Sequence, residues 1–305
     1  MSEMNNINRR YFIKTTVAAS AGIGAIGALS ACARKPESAK PGSNMKIGLV
    51  TYQWGRDWDL PTLIKNCETA GYAAVELRTH HAHGVEPSLS PAEREEVKKR
   101  FEASPVVCVG YGSNQEYHSP DPEELKRQIE GTFDLIKLCH DIGASGVKVK
   151  PNNLPDGVEP EKTIAQIADS LNKVGKFAQD YNQEIRVEVH GRKTSLPQNM
   201  KAIFDQVTEP NVKICWNCND QDLVEPGLEY NFDLLKPWFG QTVHVREFNV
   251  GSYPYQQLFD LFTAMDYNGW ILLEARTKPE DRVAAMIEQK KLMHELIAGS
   301  QAKLG

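Results

Sequence analysis

Residues 186–190 read Arg-Val-Glu-Val-His, with valine at every second position and a polar, titratable side chain at the others. Extended chain alternates faces, so Arg186, Glu188 and His190 would point one way and Val187 and Val189 the other. Three later segments repeat the pattern. Cys215, Asn217 and Asn219 alternate with Ile214 and Trp216; His244 and Arg246 alternate with Val243 and Val245; Glu274 and Arg276 alternate with Ile271 and Leu273. Glu188, Asn217, His244 and Glu274 would then supply two carboxylates, an imidazole and an amide oxygen. That donor set suits a divalent cation with N/O ligands, such as Mn2+, Mg2+ or Zn2+.

Other side chains on these faces could meet a substrate. Lys148 and Lys150 share one face of Gly146-Val-Lys-Val-Lys150 and would bind an anionic or oxyanionic group, balance Glu188, or do both. His190 would donate to a substrate or support Glu188, and Arg246 would orient hydroxyls. Trp54, with Tyr52, Trp58 and Tyr111, falls near strand ends, where an aromatic ring stacks on a sugar or simply packs a loop. His80, His81 and His83 crowd one loop and are expected to be solvated rather than metal-bound. Cys215 and Cys218 have redox spacing, but three extended residues put their Cα atoms about 10 Å apart, beyond the ~7 Å a disulfide spans. Cys67, Cys108 and Cys139 sit in apolar contexts and read as core.

Periodicity supplies the elements that must position these groups. Alternating segments predict strands at 45–51, 72–78, 106–110, 146–150, 186–190, 212–219, 242–248 and 270–276, the last with Glu274 and Arg276 inward. Helical spacing predicts helices between them, with starts at Asp121-Pro122, at the Ser90-to-Glu93 capping box and at Ser195-Leu-Pro-Gln198, and a final helix over 282–297. Eight strands alternating with helices imply a parallel barrel or a doubly wound sheet. A doubly wound sheet usually opens on a glycine-rich turn, and none follows Thr51. The expected fold class is α/β, a single (β/α)8 TIM barrel over 45–300 preceded by an N-terminal signal segment, with its chemistry at one mouth.

Residues 1–31 resemble an export signal. Asn8-Arg9-Arg10-Tyr11-Phe12-Ile13-Lys14 is similar to a twin-arginine motif, an Ala/Gly-rich apolar run follows, and Leu29-Ser30-Ala31-Cys32 is similar to a bacterial lipobox. The resemblance implies an exported, periplasmic or cell-envelope lipoprotein, attached to the membrane through lipidated Cys32 and a flexible tether over 32–44. A net charge of -5 gives no support for a nucleic-acid partner, which favours a basic surface.

The fragments Val187-Glu188-Val189-His190, Trp216-Asn217-Cys218-Asn219, Val243-His244-Val245 and Leu273-Glu274, in that order, resemble the xylose isomerase-like barrel superfamily over residues 45–297. By that resemblance Glu188, His244 and Glu274 match the family's metal-binding glutamates and histidine, and Glu188 and Glu274 would be catalytic base and acid. Asn217 stands where the family usually has Asp, which removes one negative charge and should weaken metal binding. The resemblance implies an enzyme acting on a small carbohydrate or polyol by metal-assisted proton abstraction next to a carbonyl, an isomerase or epimerase. Two alternatives stay open: a lyase or dehydratase acting on a keto-sugar or keto-glycoside with the same site, and a non-catalytic sugar-binding barrel with a degenerate metal site.

Overall fold

The computed structural model describes residues 39–304; the twin-arginine segment, the lipobox with Cys32 and the first part of the tether lie outside the described residues. Eight parallel strands form one sheet: β1 (Lys46–Val50), β2 (Ala74–Arg78), β3 (Val107–Glu116), β4 (Gly146–Lys150), β5 (Glu184–Glu188), β6 (Val212–Cys215), β7 (Thr242–Val245) and β8 (Trp270–Leu273). Each is followed by a helix: α1 (Leu60–Ala70), α2 (Pro91–Glu102), α3 (Pro122–Asp141), α4 (Pro160–Gln179), α5 (Pro197–Phe204), α6 (Leu228–Leu235), α7 (Tyr255–Ala264) and α8 (Arg282–Leu304). The hydrogen-bonded order runs β6-β5-β4-β3-β2-β1-β8-β7, with β1 paired to β8. The two edges meet through single bridges, Asn217 with His244 and Ile214 with Phe239, which nearly closes a (β/α)8 barrel. None of the described helices is long and apolar enough to cross a membrane.

Local chemistry sets the boundaries. Asp59 caps α1 by accepting from Thr62 N–H at 2.9 Å, and Gly71 ends it in the left-handed region. Ser90 and Glu93 close the expected capping box on α2, and Asp121 caps α3. The start of α5 departs from expectation. Leu196 occupies the cap position with no side-chain bond, because Ser195 is drawn back by its N–H to the Gly191 carbonyl.

The main core lies between sheet and helices and takes the outward strand residues, among them Val187, Ile214, Val243, Val245, Ile271 and Leu273. Inside the barrel a small apolar layer of Val50, Ala74, Val109 and Leu272 gives way to buried polar groups. β3 makes room for them by lacking side chains. A Cβ at Gly112 would stand 2.6 Å from Glu76 Oε1, and one at Gly110 would stand 2.5 Å from an Arg186 Nη1. Arg186 fills that space as a structural group, bonding Val109 O at 2.7 Å, Ser145 Oγ at 2.9 Å and Glu184 at 2.9 Å. Its ion-pair partner is therefore Glu184 and not Glu188.

Three sequence expectations change here. Trp54 is buried, with its Nε1 donated to Thr277 O at 3.0 Å, so it anchors the loop after β8 and presents no ring face to a ligand. Tyr111 and Trp58 are buried as well, leaving Tyr52 as the aromatic at the mouth, under Arg78 at 5.5 Å. Arg276 is exposed rather than inward: β8 ends at Leu273, and buried Glu247 takes the Arg276 and Thr277 amides at 3.0 and 2.7 Å.

Candidate metal centre

Glu188 ends β5, His244 lies within β7 and Glu274 follows β8; all three are buried, and each offers a ligand atom within 4.8 Å of the others. His244 Nδ1 stands 4.0 Å from both Glu188 Oε1 and Glu274 Oε2. Its Nε2 faces the other way, 3.2 Å from Glu76 Oε1 on β2. Neither imidazole nitrogen and neither Glu76 oxygen completes a hydrogen bond, although all are buried. Buried polar atoms are seldom left so. Glu76 stands against Nε2, so Nδ1 is the ring nitrogen that faces the cleft between Glu188 and Glu274. A carboxylate behind a histidine ligand is a common way to fix ring orientation.

Asn217 joins this group. Its Nδ2 donates to Glu188 Oε1 at 3.0 Å, with Asn219 Nδ2 on Val189 O at 2.6 Å beside it. The donor set of Glu188, His244 and Glu274, with the Asn217 amide adjacent, fits a divalent cation.

Each carboxylate also has a cation. The Nζ of wholly buried Lys148 donates to Glu188 Oε2, and Arg78 Nη1 donates to Glu274 Oε1 at 3.0 Å. Burial pushes the Glu188 carboxyl up, but Lys148, then His244 and His190, overcome it and hold the group below the usual carboxylate range. Glu76 is lowered in the same way: burial opposes, and His244 with Lys148 and Arg186 prevails. Burial would depress His244, yet Cys215 and then Glu76 hold it above its ordinary value.

A model of the "Xylose isomerase-like TIM barrel" family matches residues 64–296. The chain belongs to that family. No curated protein is a significant match. Among solved structures, the fold resembles 3-keto-D-glucoside 4-epimerase from E. coli, at 14% identity and TM-score 0.69, covering 82% of this chain and 99% of that one. It also resembles L-ribulose 3-epimerase (16% identity, TM-score 0.73, 85% and 97% covered). A third is the IOLI protein with a binding zinc atom (15% identity, TM-score 0.70, 83% and 98% covered). At such identities the likeness is one of fold.

The remaining sequence candidates divide. His190 is half-buried at the mouth, its Nδ1 2.7 Å from Asn152 Oδ1, and burial lowers its pKa against the pull of Glu188. That contact depends on a two-residue parallel ribbon of Asn152-Asn153 on Gly191-Arg192, where a Cβ on Gly191 (φ +97°) would overlap the Asn152 backbone. Lys150 is partly exposed beside Asn114, and Arg246 is half-buried with its Nε unpartnered. The loop histidines stand apart. His83 accepts from Val85 N–H at Nδ1 and donates from Nε2 to Arg78 O at 2.8 Å, and His81 bonds Thr51 Oγ1 at 3.0 Å. Cys215 and Cys218 are both free, buried thiols.

Sequence reasoning missed Glu76 and Arg78 as site residues. Their alternation with Val75 and Leu77 was the available signal, since it points both into the barrel.

Proposed function

We propose that the barrel is a carbohydrate isomerase or epimerase working by metal-assisted proton abstraction beside a carbonyl. The observation that carries this reading is the buried, unpartnered Nδ1 of His244 set equally far from Glu188 and Glu274. Glu188, His244 and Glu274 would hold the ion, with Asn217 as a weaker fourth ligand; Mn2+, Mg2+ and Zn2+ all suit the donors. A bound ion supplies Lewis acidity toward the substrate carbonyl oxygen.

The chain's own groups handle the proton. Glu274 flanks the cleft, its Oε1 held by Arg78 and its Oε2 facing His244 Nδ1, and its carboxylate is the group set to take the proton. Glu188, ionised and bonded to Lys148, stands across the mouth; it delivers a proton relayed from Lys148 Nζ to the opposite face of the carbon or to its neighbour, and the proton left on Glu274 passes through water to restore Lys148. His190 and Arg246 orient hydroxyls. Structural relatives support the substrate class: L-ribulose 3-epimerase and 3-keto-D-glucoside 4-epimerase are both named for sugars.

The test is incubation with keto-sugars and keto-glycosides in deuterium oxide plus Mn2+, followed by proton NMR. Loss of an α-proton signal is expected. No exchange with any of them refutes the proposal, and an elimination product would assign lyase chemistry to the same site. A second reading, a sugar-binding barrel without turnover, draws on the fact that Lys148 and Arg78 already neutralise both carboxylates. It expects binding without exchange.

We further propose export as a lipoprotein, on the strength of Arg9-Arg10 and of Leu29-Ser30-Ala31-Cys32. Labelled palmitate should enter the wild-type chain in a bacterial host and not the Cys32→Ser variant.

A further inference from the structure

Two cations at the barrel mouth share one neutral partner. Arg78 Nη2 donates to Asn114 Oδ1 at 3.2 Å, and Lys150 Nζ donates to the same oxygen at 3.3 Å. The carboxylates nearby are already engaged. Arg78 serves Glu274 and Lys148 serves Glu188. Glu116, further along β3, is tied to Asn152 at 2.5 Å and His118 at 3.5 Å, and it makes no ion pair with Lys150. Among the described residues Lys150 makes no ion pair of its own, and with Arg78 it meets a neutral amide oxygen where a carboxylate could sit.

Burial, then Lys148, holds the Lys150 ammonium below the ordinary lysine value against the pull of Glu188 and Glu116. The corner is open, since Asn114 is exposed and Lys150 partly so. A guanidinium and an ammonium converging on one oxygen form a ready seat for an oxyanion.

We propose that the Arg78–Lys150 corner seats the anionic group of the substrate, so that the barrel takes an acidic keto-sugar with its carboxylate on this corner. This rests on the carbohydrate reading above and narrows it. Arg78 is already paired with Glu274, so Lys150 is the corner's one cation without a carboxylate, which suits a singly charged carboxylate better than a doubly charged phosphate.

The experiment is calorimetric titration of the full chain, loaded with Mn2+, against D-fructuronate, D-fructose and D-fructose 6-phosphate. Fructuronate is expected to bind at least tenfold more tightly than fructose. Lys150→Met should abolish the difference between acid and neutral sugar. Asn114→Asp places a carboxylate in the seat; it should abolish the difference too while raising the melting temperature, which separates a filled seat from a damaged fold. Equal binding of acid and neutral sugar, or a preference that survives both variants, overturns the proposal. Tighter binding of the phosphate than of the uronate overturns the carboxylate assignment. Binding is read without turnover, so a chain that prefers the acid yet exchanges no α-proton refutes the isomerase reading and leaves the seat standing.

Discussion

His244 Nε2 stands 3.2 Å from Glu76 Oε1, and neither side chain is exposed to solvent. Glu76 lies behind the imidazole as seen from Glu188 and Glu274, and it fixes which nitrogen faces them. Glu76→Gln keeps the shape and removes the charge. Losing such a support costs about 10- to 100-fold in metal affinity. We expect a fall of that order in Mn2+ affinity by calorimetry; an unchanged affinity would show that Glu76 plays no part in orienting the ring.

Asn217 donates to Glu188 Oε1 at 3.0 Å, so an aspartate there would set two carboxylates face to face. Asn217→Asp should lower the melting temperature of the metal-free protein by several degrees and bind Mn2+ at least tenfold more tightly. Thermal melts with and without Mn2+ should therefore diverge more for the variant than for wild type.

Lys148 is the buried counter-charge of Glu188. Breaking a buried pair from one side costs about 3–5 kcal/mol, because the other charge is left alone. Lys148→Met should show a loss of that order in urea denaturation. The double variant Lys148→Met/Glu188→Gln should recover most of it, and failure to recover would mean that packing, not charge, is at stake.

Asp222 supplies a pH signature. Burial pushes its carboxyl up to about 8 against the Asn219 N–H, the Tyr253 hydroxyl and Arg246, and its Oδ1 has no partner. The unfolded chain loses that proton near its ordinary value of 3.8. Between those two pH values the folded form binds one more proton, so the group's contribution to stability falls as pH rises and levels off above the upper value. Asp222→Asn should flatten that part of the stability–pH curve; parallel curves for variant and wild type would contradict a buried, protonated Asp222.

Gly191 occupies a left-handed conformation where a Cβ would overlap the Asn152 backbone. Backbone strain of this kind costs about 1–3 kcal/mol. Gly191→Ala should lose stability of that order and raise KM more than it lowers kcat, because His190 would leave Asn152.

The valine alternation exposed Glu188 and His244, because extended chain allows only two faces and apolar residues claimed one. Glu274 followed from the same rule. Arg276 did not, because the strand stops at Leu273 and Glu247, distant in sequence, captures the loop amides. Trp54, open in the sequence between stacking on a sugar and packing a loop, proves to pack a loop for a similar reason: its burial is decided by a carbonyl more than two hundred residues away. Glu76 was visible as an inward residue, but only its place behind His244 gives it a role, and that depends on closure of the barrel. The convergence of Arg78 and Lys150 on Asn114 joins the ends of three strands, which no local spacing encodes.

The barrel's ladder is continuous except between β6 and β7, where the Asn217–His244 bridge carries much of the closure. Both residues of that bridge also border the candidate ligand cleft. An ion gripped there would rivet the one unzipped side of the cylinder, so occupancy should slow amide hydrogen exchange at Cys218 and His244 far more than on the opposite wall.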